Sequence, residues 1–185
     1  LLLYGLGEDT IFQTSKSGKI EPRYLLNFGK YSFPFEERYV RSSFGNSVNY
    51  IMAISSPFET SNNLWMKFAL HKKAFILRYD KQKRKAFIFF YKGEKEIDFA
   101  RGRNSLDELG IVNDLDGGPD FFPKWSVYCD STEFLITAIS TFDFKKEFSP
   151  EHFDNKEIKF PDKKVKLLEL VNNLEEKDDY VLMVV

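Results

Sequence analysis

The segment AFILRYDKQKRKAFIFFY, residues 74–91, decides the fold class because two apolar, aromatic-rich runs flank one polar turn. Aromatic and β-branched side chains favour pleated, half-buried strands, and the polar residues DKQK between the runs are typical of a hairpin loop. A second hairpin is predicted around SKSG, residues 15–18, between TIFQT and KIEPRYLLNF. Together the two hairpins predict antiparallel β-structure.

The rest of the chain continues this pattern of short runs bounded by turn residues. Aromatic residues make up 17% of the 185 residues, and 20 of them are Phe, which is typical of sheets. The sequence therefore predicts an all-β fold. The predicted strands lie at residues 10–14, 24–28, 50–55, 64–70, 74–79, 86–91, 125–129, 134–140 and 180–185.

The two hairpins are related by a weak internal repeat. Moving the first onto the second by 65 residues places Ile11 on Ile76 and Lys16 on Lys81. At this period the chain holds about three units of about four strands each. Four-stranded units at a fixed period are the blades of β-propellers, but about three are too few to close a ring.

The C-terminal part of the sequence has a different period. Asp162 is predicted to cap a helix, in which Val165, Leu168 and Val171 recur every three residues and form one apolar face. The final run DDYVLMVV reads as a buried terminal strand. We expect a short helix and a closing strand, and a helix that binds a partner is the alternative.

Composition excludes several classes of protein. A net charge of −1 argues against a dedicated nucleic-acid binder, since such proteins neutralise phosphates with excess Lys and Arg. No run reaches the about 18 apolar residues of a transmembrane helix. The single cysteine, Cys129, excludes an intramolecular disulfide and a cysteine-based zinc site. Its apolar neighbours predict an inert core thiol.

Three segments together resemble the six-bladed β-propeller proteins of Bacteroides-type cell envelopes, which are often lipoproteins. The segments are DTIFQTSKSGKIEPRYLLNFGKYSFP (residues 9–34), VNDLDGGPDFFPKW (112–125) and LLELVNNLEEKDDYVLMVV (167–185). The resemblance implies a partial propeller of about three four-stranded blades, with the C-terminal helix and closing strand. Residues 1–185 would then be a single domain, the C-terminal half of such a propeller.

The resemblance also implies a compartment and partners. It places the protein in the periplasm or the outer cell envelope, although the chain carries no targeting signal of its own. A half-propeller exposes the sides of two blades. We therefore expect either a missing N-terminal half or self-association through the exposed blade edges, in addition to an unknown ligand.

The segment GIVNDLDGGPDFFP, residues 110–123, is the strongest candidate for a site. Placing Gly117 at the sixth position of a helix-loop-helix calcium loop puts Val112 and Pro123 where carboxylates are required. A looser oxygen cage would still hold calcium, whereas a tight turn and a ligand contact are the other interpretations. The candidate binding residues are Asn113, Asp114, Asp116, Asp120 and Trp125, and no cofactor is assigned.

Catalytic motifs give no assignment. Asp114 and Asp116 have the spacing of a glycosidase pair, but any alternate carboxylates on a strand share that spacing. Neither a metalloprotease HExxH nor a Gly-x-Ser-x-Gly elbow occurs. The sequence predicts a non-enzymatic binding or scaffold module of the cell envelope, whose ligand is a glycan, peptide or protein. The alternative is a carbohydrate-active hydrolase or lyase that uses the loop carboxylates.

Overall fold

The computed structural model describes residues 1–5, 8–39, 48–51, 54–90, 106, 109–148, 158–175 and 179–185. The chain divides into two compact units, unit 1 over Leu1–Leu109 and unit 2 over Gly110–Val185. The described strands form three antiparallel sheets, two in unit 1 and one in unit 2. This mostly β architecture confirms the predicted class.

Sheet 1 of unit 1 is a meander of three strands, β1, β2 and β3. Gly18 makes the β2–β3 turn with φ 81°, a conformation that favours glycine, and the predicted first hairpin is confirmed. Two short 3-10 helices follow the sheet. The elements are β1 Leu2–Tyr4, β2 Thr10–Thr14, β3 Ile20–Leu25, and the 3-10 helices Gly29–Tyr31 and Phe35–Tyr39.

Sheet 2 of unit 1 is a four-stranded meander that contains the second predicted hairpin. In that hairpin Asp80 pairs with Lys85, and the Asp80 carboxylate accepts a hydrogen bond of 2.8 Å from the Lys83 N–H. The β5–β6 turn holds His71 and Lys72 at φ 51° and 58°. The strands are β4 Ile54–Glu59, β5 Asn63–Leu70, β6 Lys73–Asp80 and β7 Lys85–Phe90.

The core of unit 1 joins its two sheets. Leu64, Met66 and Phe68 alternate along β5, so their side chains lie on one face of sheet 2. They pack with Ile11 from β2 and Ile54 from β4, and all five are buried. Both sheets of unit 1 therefore bury an apolar face against the other, which is the two-layer arrangement of small β-domains.

The described residues of unit 2 form one three-stranded sheet, in the order β10-β9-β8, and two helices. A C-terminal strand, β10, is present as predicted, but Tyr180, Leu182 and Val184 are exposed, so the strand is not buried as the sequence predicted. Phe144 and Phe148, in and just after α1, pack with Ile139 and Val181 on one face of the sheet and with apolar residues of α2. The elements are β8 Trp125–Cys129, β9 Thr132–Ser140, α1 Thr141–Glu147, α2 Pro161–Asn173 and β10 Tyr180–Val184.

Several details of the sequence prediction were wrong. α2 begins at Pro161 with Phe160 at its N-cap, two residues before the predicted Asp162 cap, because proline suits the first helical turn. Helix α1 was not predicted; Ser140 caps it by accepting a hydrogen bond of 3.1 Å from the Asp143 N–H. Cys129 is exposed at the end of β8 and is not a core thiol.

Strand positions were mostly, but not everywhere, as predicted. The strand predicted at 24–28 lies earlier, at β3, and the strand predicted at 50–55 lies later, at β4. β4 contains Pro57 and a register shift between Ser55 and Phe58, features that obscure a strand in sequence. Tyr91, the last residue of the strand predicted at 86–91, lies outside the described residues. The single domain and the partial propeller stay predictions.

Candidate functional site

The predicted site, residues 110–123, is a loop closed at its base by an isolated antiparallel bridge. The Ile111 N–H donates to the Phe121 carbonyl at 2.7 Å, and the Phe121 N–H donates back to the Ile111 carbonyl at 2.8 Å. A Cβ on Gly110 would lie 2.6 Å from the Asp120 carbonyl carbon. Glycine is therefore required where the two ends of the loop approach each other.

Asn113 and Asp116 hold the tip of this loop together. One carboxylate oxygen of Asp116 accepts from the Asn113 side-chain amide at 2.7 Å and from the Gly118 N–H at 2.9 Å. The side-chain carbonyl oxygen of Asn113 accepts a hydrogen bond from the Leu115 N–H at 3.1 Å, and Gly117 adopts φ 79°. These are the hydrogen bonds of an Asx-type turn, so both side chains support the loop itself.

Asp114 connects the loop to the start of α2. Its carboxylate lies 2.6 Å from the Lys159 ammonium, and both side chains are about half exposed or more. The Asp114 carbonyl also accepts from the Lys159 N–H at 2.9 Å, and the Leu115 carbonyl accepts from the Phe160 N–H at 2.8 Å. The loop is thus tied to the segment that leads into α2.

The two remaining predicted residues lie after the loop tip. Asp120 is partly buried beside the bridge, and Trp125 begins β8 with its side chain 52% exposed. Within the described ranges no group of three or more His, Cys, Asp or Glu residues is arranged to hold a metal ion. The structure therefore does not gather Asp114, Asp116 and Asp120 into a cation site.

Trp125 leads to a second candidate, a face of the unit 2 sheet that we name the open face. The strand register aligns Trp125, Ile136 and Val184 in one row, and it places Val127 beside Phe134. Side chains in such rows lie on the same side of a sheet. We define the open face as the apolar residues on this side, which are Trp125, Val127, Phe134, Ile136, Tyr180, Leu182 and Val184.

The open face is exposed, whereas the opposite face of the same sheet is covered around Ile139 and Val181. Trp125, Leu182 and Val184 are 52%, 63% and 56% exposed. On the opposite face, Ile139 and Val181 pack against the phenylalanines in and after α1. Large contiguous apolar patches are rare on the surfaces of monomeric proteins, and they often mark an interaction site.

A third candidate is a charged cluster around Glu59 in unit 1. The Glu59 carboxylate accepts hydrogen bonds from the Arg23 guanidinium at 2.8 Å and from the Tyr24 hydroxyl at 2.5 Å. The Lys81 ammonium lies 2.5 Å from the same carboxylate and donates to the Thr60 carbonyl at 2.6 Å. Glu59 is only 17% exposed, so it is a partly buried carboxylate with two cationic partners.

The electrostatics of this cluster favour a structural role. Burial would raise the pKa of Glu59, but the hydrogen bonds from Arg23, Lys81 and Tyr24 outweigh burial and lower the pKa to about 2. Burial, followed by the hydrogen bond to Glu59, raises the pKa of the Tyr24 hydroxyl. A general base is most effective when its pKa lies near the working pH. Glu59 is therefore poorly suited to proton transfer at neutral pH.

A cleft of about 490 Å³ lies beside β1 and β4 in unit 1. Ser56 adopts φ 51° there, at the irregularity between Ser55 and Phe58, and such bulges are frequent next to functional sites. The described residues that line the cleft carry hydroxyl and apolar side chains, and none of them is charged. It offers a surface for binding rather than groups for acid–base chemistry.

Sequence reasoning missed the Glu59 cluster and the open face. Glu59 and Arg23 are 36 residues apart, and a sequence gives no signal for an ion pair at that distance. For the open face a signal existed, because all five residues of β10, YVLMV, are apolar. Strands that are apolar on both sides are typically buried on both sides.

Comparisons with known proteins identify a family and a shared fold. Residues 6–145 match the family described as "Domain of unknown function (DUF4933)". The chain is also similar to a protein of Bacteroides fragilis NCTC 9343 named "Putative exported protein", with 16% identity and a TM-score of 0.52. That match covers 100% of this chain and 46% of the Bacteroides chain. No curated protein sequence matches the chain.

The described helices give one further result. None of them is long and apolar enough to cross a membrane.

Proposed function

The chain belongs to the family described as "Domain of unknown function (DUF4933)", and we propose that it is a non-enzymatic binding or scaffold module of the bacterial cell envelope. The observation that carries this proposal is the open face of unit 2. It presents Trp125, Val127 and Leu182 to solvent on one side of a single sheet. Aromatic and aliphatic side chains of this kind form the centres of protein interfaces.

Three carboxylates of the candidate sites support a binding role over a catalytic one. Asp116 accepts hydrogen bonds from its own loop, Asp114 pairs with Lys159, and Glu59 is held ionised between Arg23 and Lys81. Each of these groups is engaged in holding the fold. A glycosidase, by contrast, needs two carboxyls that face each other across a cleft the size of a sugar.

The proposal includes a partial six-bladed propeller. Support comes from the three antiparallel sheets of the described residues, which have three or four strands each. In both sheets of unit 1, strands that follow one another in the sequence are also neighbours in the sheet. The likeness to the Bacteroides fragilis chain, over 46% of its length, is compatible with a module that forms part of a larger assembly of blades. In this proposal each sheet is one blade.

The cell-envelope location is supported by the name of that similar protein, "Putative exported protein". The ligand class favoured by the open face is a protein surface. A glycan site would pair its aromatic platforms with several hydrogen-bonding side chains. On this side of the described sheet, the hydroxyls are those of Tyr180 and, at the ends of β9, Thr132 and Ser140.

A dye-binding experiment tests the binding surface. Anilinonaphthalene sulfonate fluoresces on exposed apolar surfaces, so the dilute chain should bind it, and Leu182→Lys should weaken binding at least about threefold. Leu170→Lys is the matched control, because Leu170 is also exposed but lies on α2. Equal dye binding by both variants, or none by the native chain, contradicts the proposal.

Cell fractionation tests the location. The full-length native protein, expressed with an epitope tag in a Bacteroides host, should appear in the periplasmic or envelope fraction. Recovery only with cytoplasmic marker enzymes contradicts an envelope role and leaves the binding surface to be judged by the dye experiment.

A further inference from the structure

Strand β10 is apolar on both sides but covered on one side only. Val181 packs against the helices of unit 2, whereas Tyr180, Leu182 and Val184 are 68%, 63% and 56% exposed. A strand facing water on one side normally alternates apolar and polar residues. The composition of β10 therefore matches a strand whose second face is also covered.

The open face carries no charge along the described register. On this side of the sheet β8 contributes Trp125, Val127 and Cys129, and β9 contributes Thr132, Phe134, Ile136, Ala138 and Ser140. Glu133 lies on the other side, where its carboxylate accepts a hydrogen bond from Tyr128 at 2.7 Å. Two such faces would meet without placing like charges opposite each other.

We propose that the open face binds the open face of a second copy of this chain, an inference that rests on the proposed binding function. The contact is a face-to-face packing of two sheets, about 10 Å apart. Because the same residues meet their own copies, the interface is isologous and the dimer has a twofold axis.

The exposed area of the face fits a dimer. Trp125, Val127, Tyr180, Leu182 and Val184 are between 47% and 68% exposed. Their exposed area is on the order of 600 Å² per chain, or about 1,200 Å² for two chains, which is the lower end of specific interfaces.

The inference is tested by the mass of the purified full chain in solution. One chain has a mass of 21.7 kDa, so light scattering and sedimentation should give twice that mass, falling to the single-chain mass on dilution. Leu182→Lys should weaken association at least about tenfold, because it would bring two ammonium groups together in an apolar contact. Leu170→Lys on α2 should leave the dissociation constant unchanged.

A second variant keeps the test decisive if Leu182→Lys does not fold. Val127→Lys places the same charge on β8, and circular dichroism checks that each variant keeps the native sheet content. Trp125 adds a spectroscopic readout, since its emission should shift to shorter wavelength as dimers form. Trp125→Phe should remove that shift.

The outcomes separate this inference from the proposed function. A chain that stays monomeric but binds the dye at Leu182 overturns the second copy as occupant and leaves the binding surface in place. A dimer that is insensitive to Leu182→Lys and Val127→Lys overturns the inference as well, because it uses another surface. A monomer that binds no dye overturns both the inference and the proposed binding surface.

Discussion

Unit 1 and unit 2 cover the apolar faces of their sheets in different ways. In unit 1, Ile11 and Ile54 join Leu64, Met66 and Phe68 in a core shared by two sheets. In unit 2 a single sheet packs its inner face on α1 and α2 and leaves Trp125 and Leu182 exposed on the other. The strands of both units have similar apolar composition.

The difference shows that the apolar content of a strand does not by itself determine whether its side chains are buried or exposed. A sheet needs a second layer on each apolar face, and unit 1 provides one such layer within itself. In the described part of unit 2, one side of β8, β9 and β10 is left exposed. In the proposed function the apolar residues on that side serve recognition, whereas the buried core residues of unit 1 serve stability.

The largest expected effect is on the core of unit 1. Ile11→Ala should lower the free energy of unfolding by about 2 to 5 kcal/mol, because it removes three buried carbons and leaves a cavity. Ile11 is fully buried. Urea denaturation followed by circular dichroism measures this loss, and a cost below about 1 kcal/mol would remove the contrast between the two units.

The next effect depends on pH and also lies in unit 1. The pKa of Glu59 falls from 4.5 to about 2 in the folded chain, so its ionised form stabilises the fold above pH 4.5. That stabilisation is lost as the pH falls from about 4.5 towards 2. After allowance for solvent screening, we expect Glu59→Gln to cost about 1 to 2 kcal/mol at neutral pH.

Denaturation at a series of pH values measures this contribution. The difference in stability between the native chain and Glu59→Gln should shrink steadily below pH 4.5. Glu21→Gln is a suitable control, because Glu21, in β3 of sheet 1, forms an exposed pair with Lys19. A difference that stays constant down to pH 2 would assign the effect to packing and not to charge.

A smaller effect is expected in the loop of unit 2. Asp116→Ala removes the acceptor for Asn113 and Gly118 and should cost about 1 to 2 kcal/mol. Asp114→Ala removes only the exposed pair with Lys159 and should cost at most about 0.5 kcal/mol. Thermal unfolding of both variants compares them directly; the reverse order would mean that Asp114 has a role beyond this pair.

The smallest effect concerns the open face in the monomer. Leu182→Ser should change the unfolding free energy of the dilute chain by no more than about 1 kcal/mol, because the side chain it replaces is already 63% exposed. The same substitution should raise solubility at high concentration. A large loss of monomer stability would show that the face is covered within the chain, and it would bring the two units closer in character.

Local features of the fold were predictable from the sequence, whereas long-range features were not. β8 at Trp125–Cys129 and β2 at Thr10–Thr14 have the predicted bounds, since short aromatic and β-branched runs between turns give a strong signal. β4 was displaced because Pro57 and the irregularity after Ser55 break the alternation on which strand prediction rests. Helix α1 is too short for helical periodicity to appear.

In the candidate sites, too, local features were predictable from the sequence and long-range features were not. The turn formed by Asn113, Asp116 and Gly117 was among the predicted interpretations of the loop, because Asx side chains bond to nearby backbone. The Glu59 cluster joins residues from β3, β4 and the β6–β7 turn, and only the folded chain brings them together. Trp125 was predicted as a binding residue, but its neighbours on the open face follow from the strand register.

The β5–β6 turn has a consequence for how unit 1 folds. Two-residue hairpin turns that need positive φ at both positions favour Asn-Gly, yet His71 and Lys72 occupy them. The His71 ring instead contacts the Tyr31 ring edge-on, with the ring centroids 6.1 Å apart. The backbone N–H of His71 donates to the Val48 carbonyl at 2.7 Å. Because residues distant in the sequence support this turn, we expect the isolated hairpin to be less stable than one with an Asn-Gly turn, and to need those contacts of unit 1 to form fully.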